Sequence, residues 1–363
     1  MRNTDRFRGC LIGGAAGDAL GYTVEFKREK EIFSKYGEKG ITEYDPGQGR
    51  AQISDDTQMT LFTAAGLMNA SARAGARTAG YAGHIRLAYL DWLRTQEECF
   101  PPKGGQRHTW LTEVRDLFDR RAPGTTCLSA LSSGGEGSIE RPINGSKGCG
   151  GVMRVAPVGI YFNDRPEMDT EAVARIGAEA AALTHGNILG WMPAAALVQI
   201  VREVSQDDES VRDAVIHALD TAERMWPETG ARQLFTGLMN RALDLAAGNT
   251  PDLEAIHRLG EGWVAEEALA VAVFCAVRYA DDFDRALIAA VNHNGDSDST
   301  GAVTGNILGA KLGLSAIPGK YTDRLELKEV ILEIADDLCR DGEDENGRPD
   351  PTWTVKYTEA RRL

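Results

Sequence analysis

Alternating runs of β-branched residues, the mark of half-buried strands, are almost absent from this chain, which turns the fold class away from sheets. Long apolar runs are missing too. The longest, Ala268 to Val277, falls far short of the roughly 20 residues a membrane span needs and reads as a buried core helix. The first six residues, MRNTDR, are polar, and the apolar stretch behind them is broken by Gly13, Gly14, Gly17 and Asp18. That is wrong for a secretory signal, so a cytoplasmic location is expected. Positive charge is in short supply: 40 Lys and Arg face 54 Asp and Glu, a net charge of −14. This excludes a broad electrostatic footprint on nucleic acid or on an anionic membrane, so any bound phosphate must be held locally. The six cysteines have no CxxC spacing, which suggests neither a zinc site nor a disulfide framework and leaves buried thiols in a reducing compartment.

What the sequence has is helical periodicity. It is legible at Tyr81 to Arg94, Glu171 to Thr184, Trp191 to Val204, Ser210 to Arg224, Val264 to Tyr279 and Asp323 to Leu338. The expected class is all-α, with roughly ten or more helices joined by Gly-rich and Pro-rich loops. A chain of 363 residues, 42% hydrophobic, can bury a large core as one domain or two. The longest irregular stretch runs from Cys99 to about Gly151, with a short helix expected near Thr112 to Arg120. The acidic stretch Arg340 to Asp350 reads as a solvated loop.

Glycine recurs every fourth residue at Gly9, Gly13, Gly17 and Gly21, and again at Gly301, Gly305, Gly309 and Gly313. Each set is a stripe without side chains on one helix face. A glycine inside a helix costs about 0.5–1 kcal/mol relative to alanine, so four in register need a compensating reason. Close backbone approach supplies it: the two helices are expected to cross each other, or a third helix, in the core.

Two acidic clusters each precede a helix: Ser54-Asp55-Asp56-Thr57 and Asp296-Ser297-Asp298-Ser299. Capping and the helix dipole can account for either alone. Two of one design are harder to dismiss, because consecutive carboxylates in a loop-to-helix turn repel unless a cation sits between them. With almost no histidine or cysteine nearby, the oxygen-rich donor set favours Mg²⁺ or Mn²⁺ over zinc. The adjacent His293 does not change that preference.

These motifs, in this order, resemble the ADP-ribosylglycohydrolase family. Arg8-Gly9-Cys10-Leu11-Ile12-Gly13 on to Gly17-Asp18-Ala19-Leu20-Gly21 and Glu25-Phe26 is similar to its opening helix, and SDDTQM at Ser54 to Met59 to its first metal motif. Lys147 to Pro157 (KGCGGVMRVAP) resembles its glycine-rich ligand loop, Leu183-Thr184-His185-Gly186 its central histidine segment, and Gly295-Asp296-Ser297-Asp298-Ser299 its second metal motif. The resemblance implies a single compact multi-helix domain over 1–363 with two Mg²⁺ or Mn²⁺ ions at the bottom of a cleft. It makes Ser54, Asp55, Asp56, Asp296, Asp298 and Ser299 the ligands, with Asp298 as the bridge. Ser54 and Ser299 stand where many relatives have threonine, which keeps an oxygen donor. Cys149 stands where several carry asparagine.

The implied reaction is hydrolysis of the bond joining the anomeric carbon of ADP-ribose to an acceptor, most simply arginine on a protein. The ions would orient the sugar and acidify a water, while the sugar develops oxocarbenium character. Glu25 is the candidate for proton management and Asp55 for orienting the water. Gly145, Ser146, Lys147, Gly148, Gly150 and Gly151 are candidates to hold the pyrophosphate through backbone amides and side-chain donors. His185 either faces the ADP-ribose or serves as a polar cap after the helix at 171–184. The implied partners are an ADP-ribosylated protein and the product ADP-ribose. Serine-linked, O-acetyl and nucleobase-linked ADP-ribose are alternative substrates. A different class of function is an immunity protein that blocks an ADP-ribosyltransferase toxin.

Overall fold

Helix follows helix wherever the 3.6-residue period predicts one. The computed structural model describes residues 2–361 apart from 46, 48, 75–79, 207–208 and 228–229. The helices are α1 (Thr4–Tyr22), α2 (Glu29–Tyr36), α3 (Asp55–Ala74), α4 (Tyr81–Glu97), α5 (Thr125–Ser132) and α6 (Ala156–Tyr161). They continue with α7 (Thr170–Ala182), α8 (Ile188–Gln206), α9 (Val211–Met225), α10 (Gly230–Ala247), α11 (Asp252–His257) and α12 (Ala265–Arg278). The last are α13 (Phe283–Val291), α14 (Ser297–Leu312), α15 (Gly319–Thr322), α16 (Lys328–Arg340) and α17 (Pro351–Thr358). Among the described residues, β pairing is confined to isolated bridges such as Ala51 with Leu325 and Gly148 with Val264.

The two glycine-striped helices, α1 and α14, pack against each other rather than on a third. A Cβ placed on Gly9 would lie 2.3 Å from the Gly309 carbonyl oxygen, on Gly13 2.4 Å from that of Gly305, and on Gly17 2.0 Å from that of Gly301. Gly21 would meet the Ser297 carbonyl oxygen at 2.1 Å. The register is therefore antiparallel, backbone against backbone, and it sets the end of α1 beside the start of α14. Around this pair the buried side chains form one apolar cluster drawn from Phe7 to Tyr357. The run 268–276 within α12 is fully buried, as its composition requires. Among the described residues, no helix is long and apolar enough to cross a membrane.

Three local expectations need correction. The helix expected near Thr112 to Arg120 is a pair of 3-10 turns, Trp110–Glu113 and Arg115–Phe118. The stretch 99–151 also contains α5, an eight-residue helix whose Thr and Ser content hides its period. Finally, α16 begins at Lys328 rather than Asp323, because Leu327 takes a left-handed conformation (φ 58°) that separates it from α15.

Candidate active site

The first acidic cluster is fixed from within α1. Asp18, wholly buried, accepts the Ser54 amide with both oxygens (2.9 and 3.0 Å) and the Thr57 amide at 3.1 Å, and it also accepts the Thr57 hydroxyl. Asp18 thereby takes much of the capping role open to Ser54, whose Oγ accepts the Asp56 amide at 3.2 Å. Asp55 Oδ2 accepts the Gly124 amide at 3.0 Å, while Asp56 Oδ2 is buried without a partner.

The second cluster caps its own helix. Asp296 is the N-cap of α14; the Ser299 amide donates to Asp296 Oδ1 at 3.3 Å and to Asp298 Oδ1 at 2.9 Å. His293 staples the approach: its Nδ1 accepts the Gly295 amide at 3.0 Å, so Nε2 carries the proton donated to the Ala290 carbonyl at 2.9 Å. Gly295 has no room for a side chain, since a Cβ would lie 1.6 Å from the Glu261 carbonyl oxygen. Capping and clustering are thus the same arrangement rather than rival explanations.

The clusters meet. Carboxylate oxygens of Glu25, Asp296 and Asp298 lie within 4.8 Å of one another. Glu25, in the turn after α1, is only 7% exposed, and its Oε2 is buried without a partner, so it is not a surface acid. Glu25, Asp55, Asp56, Asp296, Asp298 and Ser299 line one cleft of about 520 Å³. Ser54 is fully buried and is not among the residues lining the cleft.

The electrostatics are those of negative groups with too little positive charge. Burial, then Asp298, Asp296 and Asp55, push Glu25 up to about 10. Asp55, Asp56 and Asp296 are held well above the usual carboxylate range, by burial first and by Asp298 among their neighbours. Burial and Asp298 raise Asp18 to about 7. These are the conditions under which a divalent cation is the natural counter-charge.

The glycine-rich loop is more committed than its composition suggests. Gly148 and Gly150 line the cleft, but the Ser146, Gly148 and Cys149 amides already donate to Asn144 Oδ1, Ser146 Oγ and the Trp263 carbonyl, respectively. Lys147 is ion-paired with Glu266. Gly151 packs inward, where a Cβ would lie 2.6 Å from the Gly190 carbonyl oxygen, and Gly145 has open space around it. His185 faces the cleft and is 1% exposed; burial and then Arg154 lower it to about 3, which keeps the ring neutral.

Three features were not singled out from sequence. Asp18 is an acid inside an apolar, glycine-rich helix, a placement that itself signals a buried partner. Residues 124–127, at the start of α5, line the cleft beside Asp55, which accepts the Gly124 amide. Phe26 and Trp263 stack at the cleft with ring centroids 6.2 Å apart, 72% and 40% exposed. Aromatic exposure of that degree is visible only once the fold is known.

An all-helical protein with buried carboxylates converging in one cleft is what this fold and site define. Residues 1–347 match the family model ADP-ribosylglycohydrolase, and the chain belongs to that family. It is 24% identical to ADP-ribosylhydrolase ARH3 of Mus musculus, over 93% of this chain and 92% of that one. It is 25% identical to the ADP-ribosyl-[dinitrogen reductase] glycohydrolase of Rhodospirillum rubrum, over 89% and 91%. A solved ADP-ribosylglycohydrolase-related protein complex shares the fold, with a TM-score of 0.61 at 24% identity, over 93% of this chain and 98% of that one.

Proposed function

We propose that this chain, as one domain over 1–363, hydrolyses the bond between ADP-ribose and an acceptor in a reaction that requires two divalent ions, Mg²⁺ or Mn²⁺. The observation that carries this is the convergence of Glu25, Asp296 and Asp298 within 4.8 Å, with unpartnered buried oxygens on Glu25 and Asp56. An all-oxygen donor set of this charge suits hard cations. Ser54, Asp55, Asp56, Asp296, Asp298 and Ser299 are the residues that would hold them, with Asp298 central. Bound there, the ions would acidify a water and orient the ribose hydroxyls.

The chain's own groups do the rest. Asp55 is fixed at one oxygen by the Gly124 amide, which leaves the other to orient the attacking water. Glu25, buried at the cleft with an unpartnered Oε2, is suited to pass a proton to the leaving group and to favour the oxocarbenium-like sugar once it is given up. The Gly150 amide, His185 and the first turn of α5 are the donors nearest to hand for the pyrophosphate. Gly145, Ser146, Lys147, Gly148 and Gly151 complete the loop that presents the Gly150 amide.

For the acceptor we favour arginine. An acidic cleft with the exposed Phe26 and Trp263 rings suits a planar cation, which stacks on aromatic faces. The test is release of ADP-ribose from arginine-, serine- and nucleobase-linked substrates, after chelation and on adding back Mg²⁺ or Mn²⁺, with Asp55→Ala and Asp298→Ala alongside. Metal-dependent release from the arginine substrate, lost in both variants, is expected. No release from any substrate would end the hydrolase reading, and release only from serine or nucleobase substrates would end the choice of arginine.

A further inference from the structure

Arg154 is the largest buried cation of the described core: it is 0% exposed, yet none of the hydrogen bonds it donates reaches a carboxylate. Nη2 donates to the Ala180 carbonyl at 3.1 Å and to Thr184 Oγ1 at 2.7 Å, and Nη1 donates to Cys127 Sγ at 3.3 Å and Met59 Sδ at 3.4 Å. The guanidinium also stands 4.4 Å from the centre of the Tyr89 ring. Burying a charge on such neutral partners is costly, and a site that carries the cost calls for a reason.

The reason lies one bond further on. Thr184 Oγ1, which accepts from Arg154, is 2.8 Å from His185 Nδ1. The opposite edge of the imidazole faces the glycine loop: a Cβ on Gly150 would lie 3.2 Å from Nε2, and one on Gly148 3.4 Å from it. We propose that Arg154 and Thr184 are positioning residues that fix the tautomer of His185, so that it presents a neutral Nε2–H donor to the cleft. This rests on the ADP-ribose reading for its ligand, though not for its geometry.

The argument is electrostatic. A hydroxyl that accepts from a guanidinium is polarised into a better donor and a poorer acceptor. An Nδ1–H would point its positive end at that same hydroxyl and the guanidinium behind it. An unprotonated Nδ1 instead receives the Thr184 proton. Cys127 Sγ is the other acceptor in reach of that hydroxyl, and sulfur is a weak one. With Nδ1 accepting, the single proton of a neutral imidazole must be on Nε2. The ligand chemistry that follows is an anionic or hydroxyl oxygen, such as a pyrophosphate oxygen, bound without adding a formal charge to the cleft.

Two measurements on the intact protein test this. The first is ¹⁵N NMR of the His185 ring in the ligand-free wild type, where Nδ1 is expected to have a pyridine-type shift and Nε2 a pyrrole-type one. The reverse assignment overturns the proposal whether or not ADP-ribose binds. The second is ADP-ribose affinity in Thr184→Ser and Thr184→Val. Val is expected to weaken binding roughly tenfold, on the order of one charge-assisted hydrogen bond, with Ser within about twofold of wild type. Equal affinity in Val and wild type overturns the positioning role. If ADP-ribose fails to bind the wild type, the proposed substrate falls and the tautomer is still decided by the first measurement.

Discussion

Gly305→Ala puts the tightest contact of the α1–α14 seam to the test. The new Cβ would lie 1.9 Å from the Gly13 carbonyl oxygen and 2.5 Å from its carbon, against the 3.4 Å at which ordinary van der Waals contact begins. Backbone cannot rotate out of the way as a side chain can, so α1 and α14 must separate. Alanine's propensity advantage returns about 0.5–1 kcal/mol, and overpacking of this kind costs about 1–3 kcal/mol or more. The expected net loss is on the order of 2 kcal/mol. Gly237→Ala in α10 is the matched control, since nothing lies within 4 Å of its Cβ position. That variant retains the propensity gain alone and should be stabilised by about 0.5–1 kcal/mol. Urea unfolding of both variants beside the wild type measures the difference. If Gly305→Ala matched or exceeded Gly237→Ala in stability, close backbone approach would not be what the stripe is for.

Two further outcomes follow from the site. In the metal-free protein, Glu25 rises from 4.5 to about 10, and Asp55, Asp56 and Asp296 shift the same way. Their folded forms therefore keep protons that the unfolded chain has released, so stability is fullest below the ordinary carboxyl range and is lost as pH rises towards about 10. The urea midpoint should fall between acidic and alkaline pH, and Mg²⁺ or Mn²⁺ should flatten that fall; a midpoint that climbs with pH without metal would refute it. Asp18→Asn turns one of two acceptor oxygens into a donor facing amides that need acceptors, at a cost of about 1–3 kcal/mol. Metal affinity by calorimetry should also drop about 10- to 100-fold, and unchanged affinity would remove Asp18 from the support of the site.

The helical class, most helix positions and the pairing of the glycine stripes were legible because each rests on local periodicity or on a repeated cost that only one kind of contact repays. The acidic clusters were legible as a pattern, but their meeting depends on α1: its Asp18 holds Ser54 and Thr57, and its register on α14 sets that end, with Glu25 just beyond it, beside Asp296 and Asp298. Local sequence does not carry a distance across about 270 residues. The loop amides misled for a related reason. Glycines at 145, 148, 150 and 151 promise open backbone, but whether an amide is free depends on what lies opposite, and Asn144, Ser146 and Trp263 have taken the Ser146, Gly148 and Cys149 amides of this loop. Asp18 and Arg154 stood in plain view as charged residues in apolar strings; what they hold could be named only with their partners in place.

The charge balance of the cleft explains why these parts occur together. Helices α3, α5 and α14 all begin at the cleft, and each N-terminus contributes roughly half an elementary positive charge. Against that stand five carboxyl groups, from Glu25, Asp55, Asp56, Asp296 and Asp298. The dipoles can neutralise only a minor part, so protons or cations must supply the rest. Protons would leave the groups unable to activate water, whereas the divalent cations of the proposed reaction would restore the carboxylates to their ionised form. A soft frame would relieve the repulsion by letting the groups drift apart. Backbone contact from Gly9 to Gly21 of α1 and from Ser297 to Gly309 of α14 denies that relief, and the one side chain that enters the seam on Gly14, Asn306, is itself tied to the Cys10 carbonyl.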